Sequence, residues 1–183
     1  MGNVKKWAAL LLGLLFLLAA PARDFRPAGQ TEPLDTAKYI ALTFDDGPRA
    51  STTARLLDGL AERGVHATFF LIGEQIPGNE DLVARLAREG HQIGVHTFDH
   101  IRLADQDEET VREELERTEA LLRLLVGEGE WWLRPPYGLI TPREAAWVSV
   151  PMVQWTIDPE DWRFKDARRV SESRRPSGLR KTR

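Results

Sequence analysis

The sequence predicts an α/β fold built on a parallel sheet. Short apolar, β-prone runs alternate with helical segments along a chain of 183 residues, and no internal repeat interrupts the alternation. Every candidate polar cluster, Asp45-Asp46, His96 to His100, Arg134 to Gly138 and Asp158 to Trp162, falls directly after a predicted strand. In an open sheet or in one closed into a barrel, the C-terminal strand ends are where chemistry gathers.

The first predicted strand is Tyr39 to Phe44, stopped by Asp45-Asp46-Gly47-Pro48. Ser51 or Thr52 then caps a helix whose Ala54, Leu57, Leu60 and Ala61 keep helical spacing. Ala67 to Ile72 is a second strand, Glu80 to Glu89 a second helix ended by Gly90, and Gln92 to His96 a third strand. Residues 107 to 126 are the clearest helix, with Val111, Leu115, Leu122 and Leu125 on one side and charges that read as a solvated face. Trp131 to Leu133, Thr141 to Val148 and Met152 to Ile157 complete the pattern as strand, helix and strand.

Lys5 and Lys6, the apolar run Trp7 to Ala20 and the Ala20-Pro21-Ala22 site predict a signal peptide over residues 1–22 and a mature start near Arg23. The run is short for a membrane span, which needs about 20 residues, and an uncleaved N-terminal anchor is the alternative. The expected location is secreted or cell-envelope associated. Residues 23–37, with Pro27, Gly29 and Pro33, form a linker, and the domain runs from 38 to 170. A basic tail of atypical composition follows at 171–183. Residues 163 to 183 hold nine Lys and Arg against two acids, or +7, which leaves −10 for the rest of a chain whose net charge is −3. Such an acidic body offers no footprint for nucleic acid. With no Cys, the chain has neither disulfides nor a lipidated cysteine.

Asp-Asp-Gly alone is a weak signal, because a Gly-Pro turn with acidic ends explains it equally. At a strand end the two side chains diverge, so one can bind a cation while the other accepts a proton. His96 and His100 stand four residues apart, a spacing that lets both imidazoles reach one ion, with Zn²⁺ the commonest choice for nitrogen donors. Asp46, His96 and His100 make a set of three ligands, the catalytic rather than the structural number, and Asp45 is placed to act as base. His66 and His91 lack such context and read as surface or packing residues.

Thr43-Phe44-Asp45-Asp46-Gly47-Pro48, His96-Thr97-Phe98-Asp99-His100, Arg134-Pro135-Pro136-Tyr137-Gly138 and Asp158-Pro159-Glu160-Asp161-Trp162 together resemble the NodB-like polysaccharide deacetylases, carbohydrate esterase family four. The resemblance spans about residues 38 to 170. It implies a distorted (β/α) barrel and metal-dependent removal of acetyl groups from N-acetylated polysaccharides such as peptidoglycan or chitin-like oligomers. It implies Asp45 as the base, with Asp46, His96 and His100 as ligands of a divalent metal. Arg134 matches the arginine paired with the base, and Tyr137 the residue whose backbone N–H stabilises the oxyanion. Trp162 matches an apolar wall for the acetyl methyl, and Asp161 the residue that orients a general-acid histidine. That histidine belongs to a fifth motif, Leu-x-His, and no histidine follows His100 in this sequence. The expectation is a C-terminally shortened domain, by a frame shift near Glu172 or by loss of a terminal strand. A non-catalytic, glycan-binding remnant is the alternative function.

Overall fold

The fold, obtained as a computed structural model, is described for residues 40–164, 166–168 and 170. The predicted signal segment 1–22, the linker 23–37 and the tail 171–183 lie outside the described residues. No helix among the described residues is long and apolar enough to cross a membrane.

Four parallel strands form one sheet in chain order: β1 (Thr43–Gly47), β2 (Thr68–Leu71), β3 (Gln92–Val95) and β4 (Trp132–Leu133). Helix α1 (Thr53–Ala61) links β1 to β2, α2 (Glu80–Arg88) links β2 to β3, and α3 (Glu108–Val126) links β3 to β4. This is the connection that parallel neighbours require, since a tight hairpin cannot join them. A short α4 (Pro142–Ala145) follows β4. The expected α/β fold with a parallel sheet is therefore present. The four described strands lie in chain order in one parallel sheet, the arrangement of the expected distorted (β/α) barrel.

The core lies where the helices press their apolar stripes on the sheet. Leu57 and Leu60 of α1, Val83 and Leu86 of α2, and Val111, Leu115 and Leu122 of α3 meet Phe69, Leu71, Ile93, Val95 and Leu133 of the strands. Burying one such side chain stabilises the fold by ~1.5–3 kcal/mol. Phe70, between Phe69 and Leu71 on β2, points to the opposite face and is also fully buried, as expected of a sheet covered on both sides.

Several element boundaries differ from the sequence reading. The β1 ladder begins at Thr43, where pairing with β2 starts opposite Thr68, and Tyr39 lies outside the described residues. It runs on through Asp45, Asp46 and Gly47. Neither Ser51 nor Thr52 caps α1 with its side chain; the Thr53 hydroxyl instead accepts from Arg49 N–H at 2.9 Å. The helix expected over 141–148 is a single turn that starts with a reciprocal cap between Thr141 and Glu144. The strand expected over 152–157 is one bridge, Met152 to Leu133, with Leu133 N–H on Pro151 O at 2.9 Å and Val153 N–H on Leu133 O at 2.8 Å. The reason lies in its neighbour: β4 stops before Pro135-Pro136, which have no N–H to extend the ladder.

Helix α3 carries the largest departure from a solvated charged face. Its Asp107 cap accepts from Thr110 N–H at 2.8 Å, and Glu108 and Glu109 occupy the first turn, where the helix dipole favours acids. Yet Glu114 and Thr118 are buried with Val111, Leu115 and Leu122 on the packed stripe.

Candidate metal centre and active site

The site is built at the C-terminal ends of β1, β3 and β4. Between Phe44 and Gly47, β1 runs three residues against two on β2, so the strand contains a bulge of one extra residue. Asp46 sits in that bulge with a left-handed φ of 63°. The bulge separates two neighbouring carboxylates that would otherwise point to opposite faces of a regular strand.

Asp45 is held by Arg134, whose Nη1 donates to Asp45 Oδ1 at 2.7 Å and to Thr43 Oγ1 at 2.8 Å. The arginine directly follows β4 and is almost wholly buried. Its Nε donates to Val153 O at 3.2 Å, and its guanidinium lies 4.2 Å from the Phe70 ring centroid and 5.8 Å from that of Trp155. A cation fixed on all these sides gives the Asp45 carboxylate one orientation. Among the described residues no hydrogen bond is made to Asp45 Oδ2.

Asp46 faces the two histidines. Its Oδ1 lies 3.4 Å from His96 Nε2 and 3.3 Å from His100 Nε2. Donors bound to one tetrahedral ion at about 2.0–2.2 Å are themselves about 3.3–3.5 Å apart. The spacing on both sides of Asp46 therefore fits a shared cation, and the three donor atoms all lie within 4.8 Å of one another. Each histidine also has its second nitrogen engaged: His96 Nδ1 is 2.7 Å from Arg134 O, and His100 Nδ1 is 3.4 Å from Tyr137 Oη. A carbonyl can only accept, so His96 carries its proton on Nδ1 and leaves the Nε2 lone pair for the cation position.

The electrostatics agree with a cation site. Closeness to His96 holds the Asp46 carboxyl below the usual carboxylate range against the effect of burial, and His100 and Arg49 act in the same direction. Burial pushes the His100 imidazole down, with His96 acting in the same direction against the pull of Asp46. An ionised carboxylate and a neutral imidazole are the forms that ligate metals.

Tyr137 has a left-handed φ of 60° in the Pro136–Gly138 turn, and its ring centroid is 4.9 Å from that of His100. No hydrogen bond to its backbone N–H is made among the described residues. Asp161 and Trp162 stand apart. Trp162 is 70% exposed, its Nε1 donating to Asp158 Oδ2 at 3.5 Å. Asp161 is exposed in the adjoining turn, and among the described residues no hydrogen bond or ion pair joins it to Asp45, Arg134 or either histidine. Of the other histidines, His91 is buried and its Nδ1 accepts from Ala67 N–H at 3.2 Å, while His66 is exposed.

Three residues around the site were not singled out from sequence. Thr43 supplies a hydroxyl to Arg134. Trp155 covers the guanidinium and packs on Gly138 so closely that a Cβ there would lie 2.8 Å from its ring. Glu114 accepts from two N–H groups of the histidine loop. For Glu114 a signal existed, since positions 111, 114, 115, 118 and 122 share one helical stripe.

A polysaccharide deacetylase family model matches residues 34–149. The peptidoglycan-N-acetylglucosamine deacetylase PgdA of Listeria monocytogenes serotype 1/2a is 40% identical over 132 residues, 72% of this chain and 28% of the relative. A chitooligosaccharide deacetylase of Rhizobium leguminosarum bv. phaseoli is 36% identical over 150 residues, 79% of this chain and 66% of the relative. Among solved structures, a family 4 acetyl xylan esterase from Clostridium thermocellum in complex with a cobalt ion superposes with a TM-score of 0.71 at 29% identity, covering 76% of this chain and 68% of that one. The chain thus spans between about a quarter and two thirds of the length of these curated relatives. With the family model matching more than half of its residues, the chain belongs to the polysaccharide deacetylase family.

Proposed function

We propose that the chain is a metal-dependent hydrolase that removes N-acetyl groups from an extracellular or cell-wall polysaccharide, peptidoglycan or a chitin-like glycan. The observation that carries this reading is the Asp45 carboxylate, oriented by buried Arg134 one residue away from three donors spaced for one cation. The donor set of one carboxylate and two imidazoles suits Zn²⁺. A divalent cation bound there supplies Lewis-acid chemistry, polarising an acyl carbonyl and making water more acidic.

The chain's own residues do the rest. Asp45 Oδ2 accepts the proton of a water that adds to the acetyl carbonyl carbon, while Arg134 keeps the carboxylate in place. The unengaged Tyr137 N–H donates to the carbonyl oxygen as charge builds there, a preorganised donor on a strained turn. With His100 ligating through Nε2, its Nδ1–H donates to the Tyr137 phenol, which orients the imidazole. In this reading Trp162 supplies an apolar wall for the acetyl methyl, and the C–N bond breaks as the proton taken up by Asp45 passes, by a path that includes Asp161, to the leaving amine. The N-terminal segment directs export, which puts the domain where such glycans are.

The test is acetate release from N-acetylated peptidoglycan fragments and chitin oligomers. Release should stop with a chelator and fall ~10²–10⁴-fold in Asp45→Asn, the usual worth of acid–base assistance. Release that ignores both would refute the reading. A glycan-binding chain with little turnover is the alternative reading. Zn²⁺ and glycan binding without acetate release would select it.

A further inference from the structure

The geometry points to Glu114 as a positioning residue for the metal centre, one that acts through His100 and not through His96. The inference rests on Asp46, His96 and His100 being the cation's ligands.

The two histidines are fixed by different means. His96 stands at the end of β3, where its N–H donates to Leu71 O at 2.8 Å and its ring to Arg134 O. The sheet itself holds it. His100 lies four residues further on, beyond any ladder, on a loop where Thr97 and His100 have left-handed φ of 61° and 56°. Such conformations persist in non-glycine residues only where the surroundings over-determine them.

Glu114 completes those surroundings. The loop's carbonyls are taken by the neighbouring turn, with Gly73 N–H on Thr97 O at 3.0 Å and Glu74 N–H on Phe98 O at 2.9 Å. Its N–H groups are taken by α3, with Phe98 N–H and Asp99 N–H both on Glu114 Oε2, at 2.8 and 2.9 Å. The Phe98 ring is clamped between the Arg117 guanidinium, 3.6 Å from its centroid, and Gly73, where any Cβ would collide with it. Glu114 is 5% exposed and makes no ion pair among the described residues. A buried carboxylate without a cation is costly, and here two backbone amides are what compensate it. The amide of Asp99 immediately precedes His100, so the carboxylate sets where that ligand begins.

The experiment measures Zn²⁺ affinity of the full chain by competition with a chromophoric chelator. It compares the parent, Glu114→Gln, His100→Ala and the double variant. Glu114→Gln keeps the shape and removes the charge. It should bind Zn²⁺ about 10–100-fold more weakly, the usual effect of losing a residue that orients a ligand. The double variant should bind no more weakly than His100→Ala alone, because both changes remove one contribution. Affinity within twofold of the parent in Glu114→Gln, or losses that multiply in the double variant, would overturn the assignment. Amide hydrogen exchange on the metal-free parent supplies a check that needs no variant. Phe98 and Asp99 should be protected, and free exchange at both would overturn the assignment as well. Absent acetate release with Zn²⁺ bound would refute the deacetylase reading and leave this one standing, whereas a parent that binds no Zn²⁺ refutes this one.

Discussion

At the ends of β1 and β3, Asp45, Asp46 and His96 are fixed by contacts from neighbouring elements, whereas after β4 the aromatic residues of 151–162 lie largely in the open. Asp45 has a buried guanidinium at 2.7 Å, and His96 is bonded at both its backbone and its ring. Trp155 and Trp162 are 40% and 70% exposed, and the segment 151–162 pairs with the sheet through a single bridge at Met152. Residue type does not explain the contrast, since tryptophan buries more readily than aspartate. Pairing explains it: a side chain is placed when its backbone is locked in a ladder and a second element then grips the side chain.

The contrast breaks most visibly at Arg134, which ties the two regions together. Arg134→Met leaves Asp45 without its cation and frees Val153 O. The loss should be about 3 kcal/mol, the lower end for breaking a buried pair, because Asp45 is partly exposed. Urea unfolding measures it, and a loss under about 1 kcal/mol would mean that the site does not depend on the tie.

A smaller effect separates the two tryptophans. Trp155→Ala should cost about 1–2 kcal/mol, less than the ~3–5 of a fully buried aromatic, because it removes the cover over Arg134 and the packing on Gly138. Trp162→Ala should stay within about 0.5 kcal/mol, as surface substitutions do. Equal losses in a matched pair of melts would erase the distinction between the gripped and the open part of the segment.

The smallest effect is a pH dependence from the opposite end of the sheet, where His91 is buried beneath Ala67 N–H. Burial pushes its imidazole below the ordinary value, opposed by Glu89. The unfolded chain then binds the proton first as pH falls, so stability drops below about pH 6.5 and levels off only below the folded value. His91→Gln should flatten part of that slope in metal-free protein. An unchanged slope would show that the burial is not felt.

Much of the site could be read before any coordinates. Asp45, Asp46, His96 and His100 follow predicted strands, and parallel strands bring such ends together whatever the loops between them do. Arg134 was legible for the same reason. What failed was local: the strand over 152–157 looked sound by composition, and only the proline pair after β4 limits the ladder that it joins. The charges of α3 read as solvated because charge is a good guide to exposure, yet Glu114 lies on the buried stripe, where the histidine loop needs an acceptor.

The sequence by itself determined the α/β order, the parallel sheet and the set of residues able to bind a cation, because hydrophobic periodicity and donor chemistry are local properties. The tertiary structure decided which carboxylate faces which partner. A bulge in β1 turns Asp46 to the histidines and leaves Asp45 to Arg134, and a glutamate 14 residues beyond His100 in the chain shapes the loop that His100 closes. Register and the pairing of amides across elements arise only when distant segments meet, so no window of sequence contains them.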